Sequence, residues 1–234
     1  MSIAKERKRS SLNSTSLDLE AAIAELDDQY RRRADGFEFG RSLSLLAGDA
    51  SAADCYEIKW RLSRAMFLLG EKAAGYLIAG IDCGAKAVKL QPGRVEGNFW
   101  LGVNEALHAE HSPKLKAVFL VGKARTHLKR AVSISEHYHG AGPLRVLGRL
   151  YQKAPWFVGG DVTRARQYYE RALSLAPTNS VTLLYAAELA IQTGELTRAA
   201  ELLGRIVDTP VDPDWELENL RDKKLACSLL AKIK

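Results

Sequence analysis

The sequence predicts an all-α protein in which antiparallel helix pairs stack into a right-handed superhelical solenoid. Three observations lead there. Apolar residues recur at spacings of three and four along most of the 234 residues, and no segment alternates apolar with polar as a half-buried strand would. One order of small and large apolar residues returns several times, the mark of a repeat architecture. Prolines stand where that order ends, at Pro92, Pro177 and Pro210, because proline cannot donate to the helical ladder.

Residues 1–15 read as a flexible basic tail, in which Lys5, Arg7, Lys8 and Arg9 are diluted only by Glu6. Residues 16–234 are expected to form a single helical-repeat domain of about four helix pairs with capping helices. Ser16 has the chemistry of an N-cap, and Asp18 and Glu20 put negative charge in the first turn, where the helix dipole favours it. Leu19, Ile23, Leu26 and Tyr30 make one apolar stripe, so this helix is expected to pack under the repeats as a cap. From Gly36 to Gly48 the pattern is weaker, although Phe39, Leu43 and Leu46 keep a helical period.

The repeat is clearest at Leu144, Leu147, Gly148 and Tyr151, followed by Ala165, Tyr169, Ala172 and Pro177. These are the intervals of a tetratricopeptide repeat. Their cause is steric: small residues let two helix axes approach, and large ones fill the adjoining holes. Downstream the frame returns as Leu183, Ala186, Ala187 and Ala190 with Ala199, Leu203, Ile206 and Pro210. Upstream come Leu101 and Gly102 with Ala124, Leu128 and Ala131, and before them Leu62, Ser63 and Met66 with Gly80, Gly84, Ala87 and Pro92. Measured at Ala87, Ala131, Ala172 and Ile206, the steps are 44, 41 and 34 residues. Only the last is the standard period. Lengthened turns at His108–Leu115 and Lys153–Asp161 are expected to account for the other two. Residues 214–233 close the array with a helix whose Asp222-Lys223-Lys224 face suits a solubilising cap.

Composition narrows the function classes. An apolar content of 47% and a charged content of 26% are those of an ordinary soluble globular chain. The net charge of +6 is moderate. Its main clusters, the N-terminal tail and Arg31-Arg32-Arg33, carry no interleaved aromatic or Gly-rich element of the kind single-strand binders need, so no nucleic-acid partner is expected. Cys55, Cys83 and Cys227 lie far apart without a CxxC pair, which argues against a zinc or dithiol site and for buried or half-buried thiols in a reducing compartment. The basic start runs into the polar stretch Ser10–Ser16, not the apolar one a signal peptide needs. No stretch approaches the roughly 20 apolar residues of a membrane span. A cytoplasmic location is expected of the chain as written, and a periplasmic one if a signal segment precedes it.

Several segments go beyond generic repeats. They are Glu57-Ile58-Lys59-Trp60-Arg61-Leu62-Ser63-Arg64-Ala65, then Glu96-Gly97-Asn98-Phe99-Trp100-Leu101-Gly102-Val103-Asn104, then Gly140 to Tyr151 with Ala154-Pro155 and Gly159-Gly160-Asp161. In order and wording this resembles the tetratricopeptide proteins related to the T component of some TRAP-type transporters. It is also similar to the helical domain of regulators of microtubule dynamics. The resemblance covers roughly residues 50–234. It implies stacked helical hairpins with an interior or concave ligand path, and leaves homo-oligomerisation open. T components are similar to exported lipoproteins that partner a solute-binding protein, and this sequence departs from them in having neither signal sequence nor lipobox cysteine.

No catalytic motif stands out: there is no GxSxG elbow, phosphate loop or HExxH. In Val121-Gly122-Lys123-Ala124 the Gly-Lys pair lacks both the upstream glycine and the Ser or Thr of a phosphate loop. His108 with His111, and His137 with His139, lack further ligands at a telling spacing and read as polar residues of turns. Asp27 and Asp28 are adjacent and so point to different azimuths. No enzyme activity, metal or cofactor is expected. The first helix of each pair should line the concave groove, which places Trp60, Arg64, Phe99, Trp100, Arg145, Arg149, Gln152 and Lys153 as candidate partner contacts. A protein or peptide with acidic groups is the expected partner, since arginine forks hold carboxylates bidentately. Arg145 has a second reading, as a brace for the Gly142-Pro143 turn or a partner of Asp161.

Overall fold

Helix follows helix in the computed structural model, which describes residues 19–35, 42–45 and 55–233. No strand occurs among the described residues. Residues 19–31 form α1, continued by a 3-10 turn at Arg32–Asp35. The proposed Ser16 cap, Phe39 and Leu46 lie outside the described residues, as does the basic tail. The chain divides into two compact units, Met1–His111 and Ser112–Lys234.

In the first unit, α2 (Tyr56–Gly70) and α3 (Tyr76–Leu90) form an antiparallel pair, and α4 (Val95–Glu110) packs on both. The Asn104 side chain donates to the Ser63 carbonyl at 2.9 Å, and the Ser63 hydroxyl donates to the Gly80 carbonyl at 2.8 Å. These ties join α4, α2 and α3 through groups removed from solvent, where an unmade hydrogen bond would be costly. The stripe of α1 does pack under this unit: Ala22 and Leu26 are buried against Ile58, Leu62 and Cys83, with Leu19 and Ile23 at the margin. Residues 42–45 add Leu45 to that cluster, and Ser42 donates to Gln29 Oε1 of α1 at 2.8 Å.

The second unit runs through α5 (Lys114–Ile134), α6 (Tyr138–Lys153), α7 (Val162–Leu175), α8 (Ser180–Gln192), α9 (Leu196–Asp208) and α10 (Glu216–Ile233). Helix starts are capped where the sequence supplies a short acceptor. Asp161 accepts from the Arg164 amide at the head of α7, and Asn179 from the Thr182 amide at the head of α8. The predicted frame holds at its centre: Leu144, Leu147, Tyr151, Ala165, Tyr169 and Ala172 are all buried.

Two expectations need correction. The 44-residue step owes little to a turn at His108–Leu115, where only three residues separate α4 from α5. The extra length lies in the helices, chiefly at the start of α5: Ala131 comes 17 residues after Lys114, whereas its counterpart Ile206 comes 10 after Leu196. The 41-residue step is explained as expected by the link between Lys153 and Val162, which carries a 3-10 turn at Trp156–Val158. The other correction is Asp222, which is fully buried in α10 and not part of an exposed charged face. It accepts from the Ser180 hydroxyl at 2.8 Å and from Arg221 Nε at 3.0 Å, and burial raises its carboxyl above the usual aspartate range.

Candidate functional site

The candidate contacts sit on α2 and α4 in one unit and on α6 in the other. In the first unit this face is covered by α1. Asp27 of α1 accepts Arg61 through both carboxylate oxygens, at 2.9 Å from Nε and 2.8 Å from Nη2, and Arg64 Nη2 adds a contact at 2.8 Å. Arg64 also donates to the Leu26 carbonyl, and its guanidinium lies 4.0 Å from the ring centre of Tyr30. Glu57 continues the chain of charges, accepting Arg61 at 2.7 Å, Trp60 Nε1 at 2.8 Å and Arg94 at 3.2 Å. Arg94 reaches on to Glu96, which also accepts the Tyr56 hydroxyl. Burial alone would raise the carboxyls of Asp27, Glu57 and Glu96, but the donors around each outweigh it and hold all three below their usual values.

Trp60, Arg64, Phe99 and Trp100 are therefore interior in the presence of α1. Trp100 meets Tyr30 of α1 edge-on at 6.3 Å and Phe99 at 4.9 Å. Of these four, Arg64 and Trp100 meet the chain's own first helix.

In the second unit, Arg145 is 4% exposed and braces an unusual turn. His139, Gly140 and Ala141 all have positive φ, at 53°, 60° and 58°. This left-handed turn lies ahead of the regular part of α6, which begins near Pro143 where proline suits a first helical turn. Arg145 Nη1 donates to the Gly140 carbonyl at 2.8 Å and to Asn179 Oδ1 at 3.2 Å. A side chain at Gly140 would stand 3.2 Å from the Trp215 ring. Arg145 is thus built into the fold as a brace, on carbonyls a few residues before the turn expected for it.

Arg149 is different. It keeps 23% of its side chain exposed, pairs with Glu188 of α8, and lies 4.2 Å from the ring centre of Tyr185. Gln152 is buried and accepts the Tyr169 hydroxyl at 2.7 Å, while Lys153 is exposed at the end of α6. Sequence reasoning passed over Tyr185, which sits one turn before Glu188 on the same face of α8. Its period was the available signal. On the flank formed by α5, α6 and α7 a cleft of roughly 370 Å³ is lined by Lys129, Leu144, Tyr151, Arg164, Tyr168 and Arg171 among others. Among the described residues no group of three or more His, Cys, Asp or Glu side chains is placed to hold a metal ion. No described helix is long and apolar enough to cross a membrane.

Interlocked helix pairs with this spacing of small and large residues define an all-α helical-repeat protein of the tetratricopeptide type. Its fold is similar to TTC0263, a thermophilic tetratricopeptide-repeat protein of Thermus thermophilus, with a TM-score of 0.62 at 17% identity over 89% of this chain and 98% of that one. Residues 82–234 match the TRAP transporter T-component family, and the chain belongs to that family. No curated protein matches it.

Proposed function

We propose that the protein is a non-enzymatic binding module that holds a protein or peptide through carboxylates presented to Arg149 and Lys153. The observation that carries this reading is the setting of Arg149. Its guanidinium is held against the ring of Tyr185 and already binds one carboxylate, that of Glu188. A planar cation so placed is prepared for bidentate recognition, and a partner carboxylate can join or replace Glu188. Arg145 and Arg64 contribute by fixing α6 and α1, and their loss would act through the fold.

A second reading follows from the family: an accessory subunit of a TRAP-type transporter, whose partner is then that system's solute-binding protein or its ligand. The test is affinity capture from native lysate, with wild type beside an Arg149→Ala/Lys153→Ala variant of matched melting temperature. A protein kept by wild type and lost by the variant supports the carboxylate site, and its identity as a solute-binding protein supports the transporter reading. Capture that ignores both substitutions rules out this face. Capture of nothing removes the scaffold reading in favour of a small-molecule ligand.

A further inference from the structure

The start of α5 is longer than the repeat requires, and apart from Leu120 the large apolar residues of the surplus stay exposed. Leu115 is 90% exposed, Val118 45% and Phe119 64%. Exposed singly, such residues are ordinary, but a contiguous set marks an interaction surface. A second exposed apolar element lies on the turn that follows α6. Trp156 and Phe157, 84% and 71% exposed, stand edge-to-face on the 3-10 turn after α6. That turn is held against the flank of α5 by Arg125, which donates to the Val158 carbonyl at 2.7 Å and the Gly159 carbonyl at 2.9 Å. The Gly160 amide closes the turn on the Pro155 carbonyl at 2.9 Å. The two rings are thus carried by a fixed turn and not by a loose tip.

The charge along α5 has one sign. All 21 residues of α5 include Lys114, Lys116, Lys123, Arg125, Lys129 and Arg130 and not one Asp or Glu. Lys123 Nζ lies 5.3 Å from the Phe119 ring centre. The nearest acid of the turn, Asp161, caps α7 and pairs with Arg164 at 3.2 Å. We infer that this face docks on an anionic lipid bilayer, with Leu115, Phe119, Trp156 and Phe157 entering the interface and the lysines of α5 meeting the phosphates. Charge decides the occupant. Two copies meeting through this face would oppose cation to cation, which is disfavoured. A nucleic acid would find its cations crowned by projecting apolar side chains. A bilayer satisfies both halves, since Trp and Phe settle at its interface while lysine stems reach its headgroups.

The test uses the full chain with sedimentable vesicles of phosphatidylglycerol and phosphatidylcholine, beside vesicles of phosphatidylcholine alone. The N-terminal cations are controlled by a Lys5→Ala/Arg7→Ala/Lys8→Ala/Arg9→Ala variant. Binding to the anionic vesicles alone, retained by that variant and weakened by salt, is expected. A Phe119→Ser/Trp156→Ser/Phe157→Ser variant should keep its melting temperature, because none of the three is buried, and lose roughly tenfold or more in vesicle affinity. The proposal is overturned if the wild type ignores anionic vesicles, if the serine variant binds as well as wild type, or if the tail variant alone abolishes binding. It is equally overturned if the serine substitutions instead dissolve a dimer seen by sedimentation without changing vesicle affinity.

Discussion

Gly148 faces Tyr169 across the pair formed by α6 and α7, and a Cβ placed there would lie 2.6 Å from the tyrosine ring. Tyr169 is 1% exposed and its hydroxyl is tied to Gln152, so it cannot swing aside. Gly148→Ala is expected to destabilise by about 1–3 kcal/mol, read as a lower urea midpoint. Gly204 in the middle of α9 meets nothing within 4 Å, and Gly204→Ala should shift the midpoint the other way, by about 0.5–1 kcal/mol. A common result for the two would refute the steric account. Both glycines read alike from composition, but the repeat interval singled out Gly148. The role of Arg145 was only half legible. Its main acceptors are carbonyls of a left-handed turn that contains Ala141, a residue type that no propensity rule assigns to positive φ. Arg145→Ala should cost about 1.5–3 kcal/mol through lost charged hydrogen bonds, while Lys153→Ala leaves the melting temperature unchanged.

The helix α1 is joined to the repeats by an apolar stripe and by one carboxylate. The stripe was evident from spacing, whereas the carboxylate was not, since Asp27 and Arg61 are 34 residues apart and Asp27 reads as surface charge. Asp27, Glu57 and Glu96 all ionise below their usual range when folded, so their contribution is complete above the unfolded values near pH 4 and is lost as pH falls through the folded ones. The fluorescence of Trp60 and Trp100 should therefore report loosening of α1 below about pH 4. Asp27→Asn should move that change to higher pH and lower stability at pH 7 by about 1–2 kcal/mol. An unaltered acid transition in this variant would place the weak point elsewhere. Trp60, Arg64, Phe99 and Trp100, read from the pattern as groove positions, are buried with α1 in place. Groove position can be counted from a repeat, but what the chain lays over it requires the third dimension.

Opening of the molecule as a whole can be followed through its three thiols. Cys227 is exposed, Cys55 is half-buried, and Cys83 is buried with its thiol pushed up to about 11 by burial. A maleimide at neutral pH should modify Cys227 at once and Cys83 only at the rate set by unfolding of the first unit. Rapid labelling of Cys83 in native buffer would contradict the packing of α1, α2 and α3 described above. At this scale the helix order and the repeat were legible in the sequence, because small and large residues alternate at fixed intervals. The lengths of individual helices were not, because Ser112-Pro113 and the residues around it suit either a long turn or a helix start. The extension of α5 has its own arithmetic. Compared with α9 it adds seven residues before the frame position, which at 3.6 per turn is nearly two whole turns. The added segment therefore leaves the azimuth of Ala124, Leu128 and Ala131 almost unchanged while lengthening the helix by about 10 Å. An insertion of four or five residues would have rotated the buried stripe by a larger angle. Growth by heptads is thus a neutral path for this fold, along which a projecting surface can lengthen or shorten without disturbing the core that carries it.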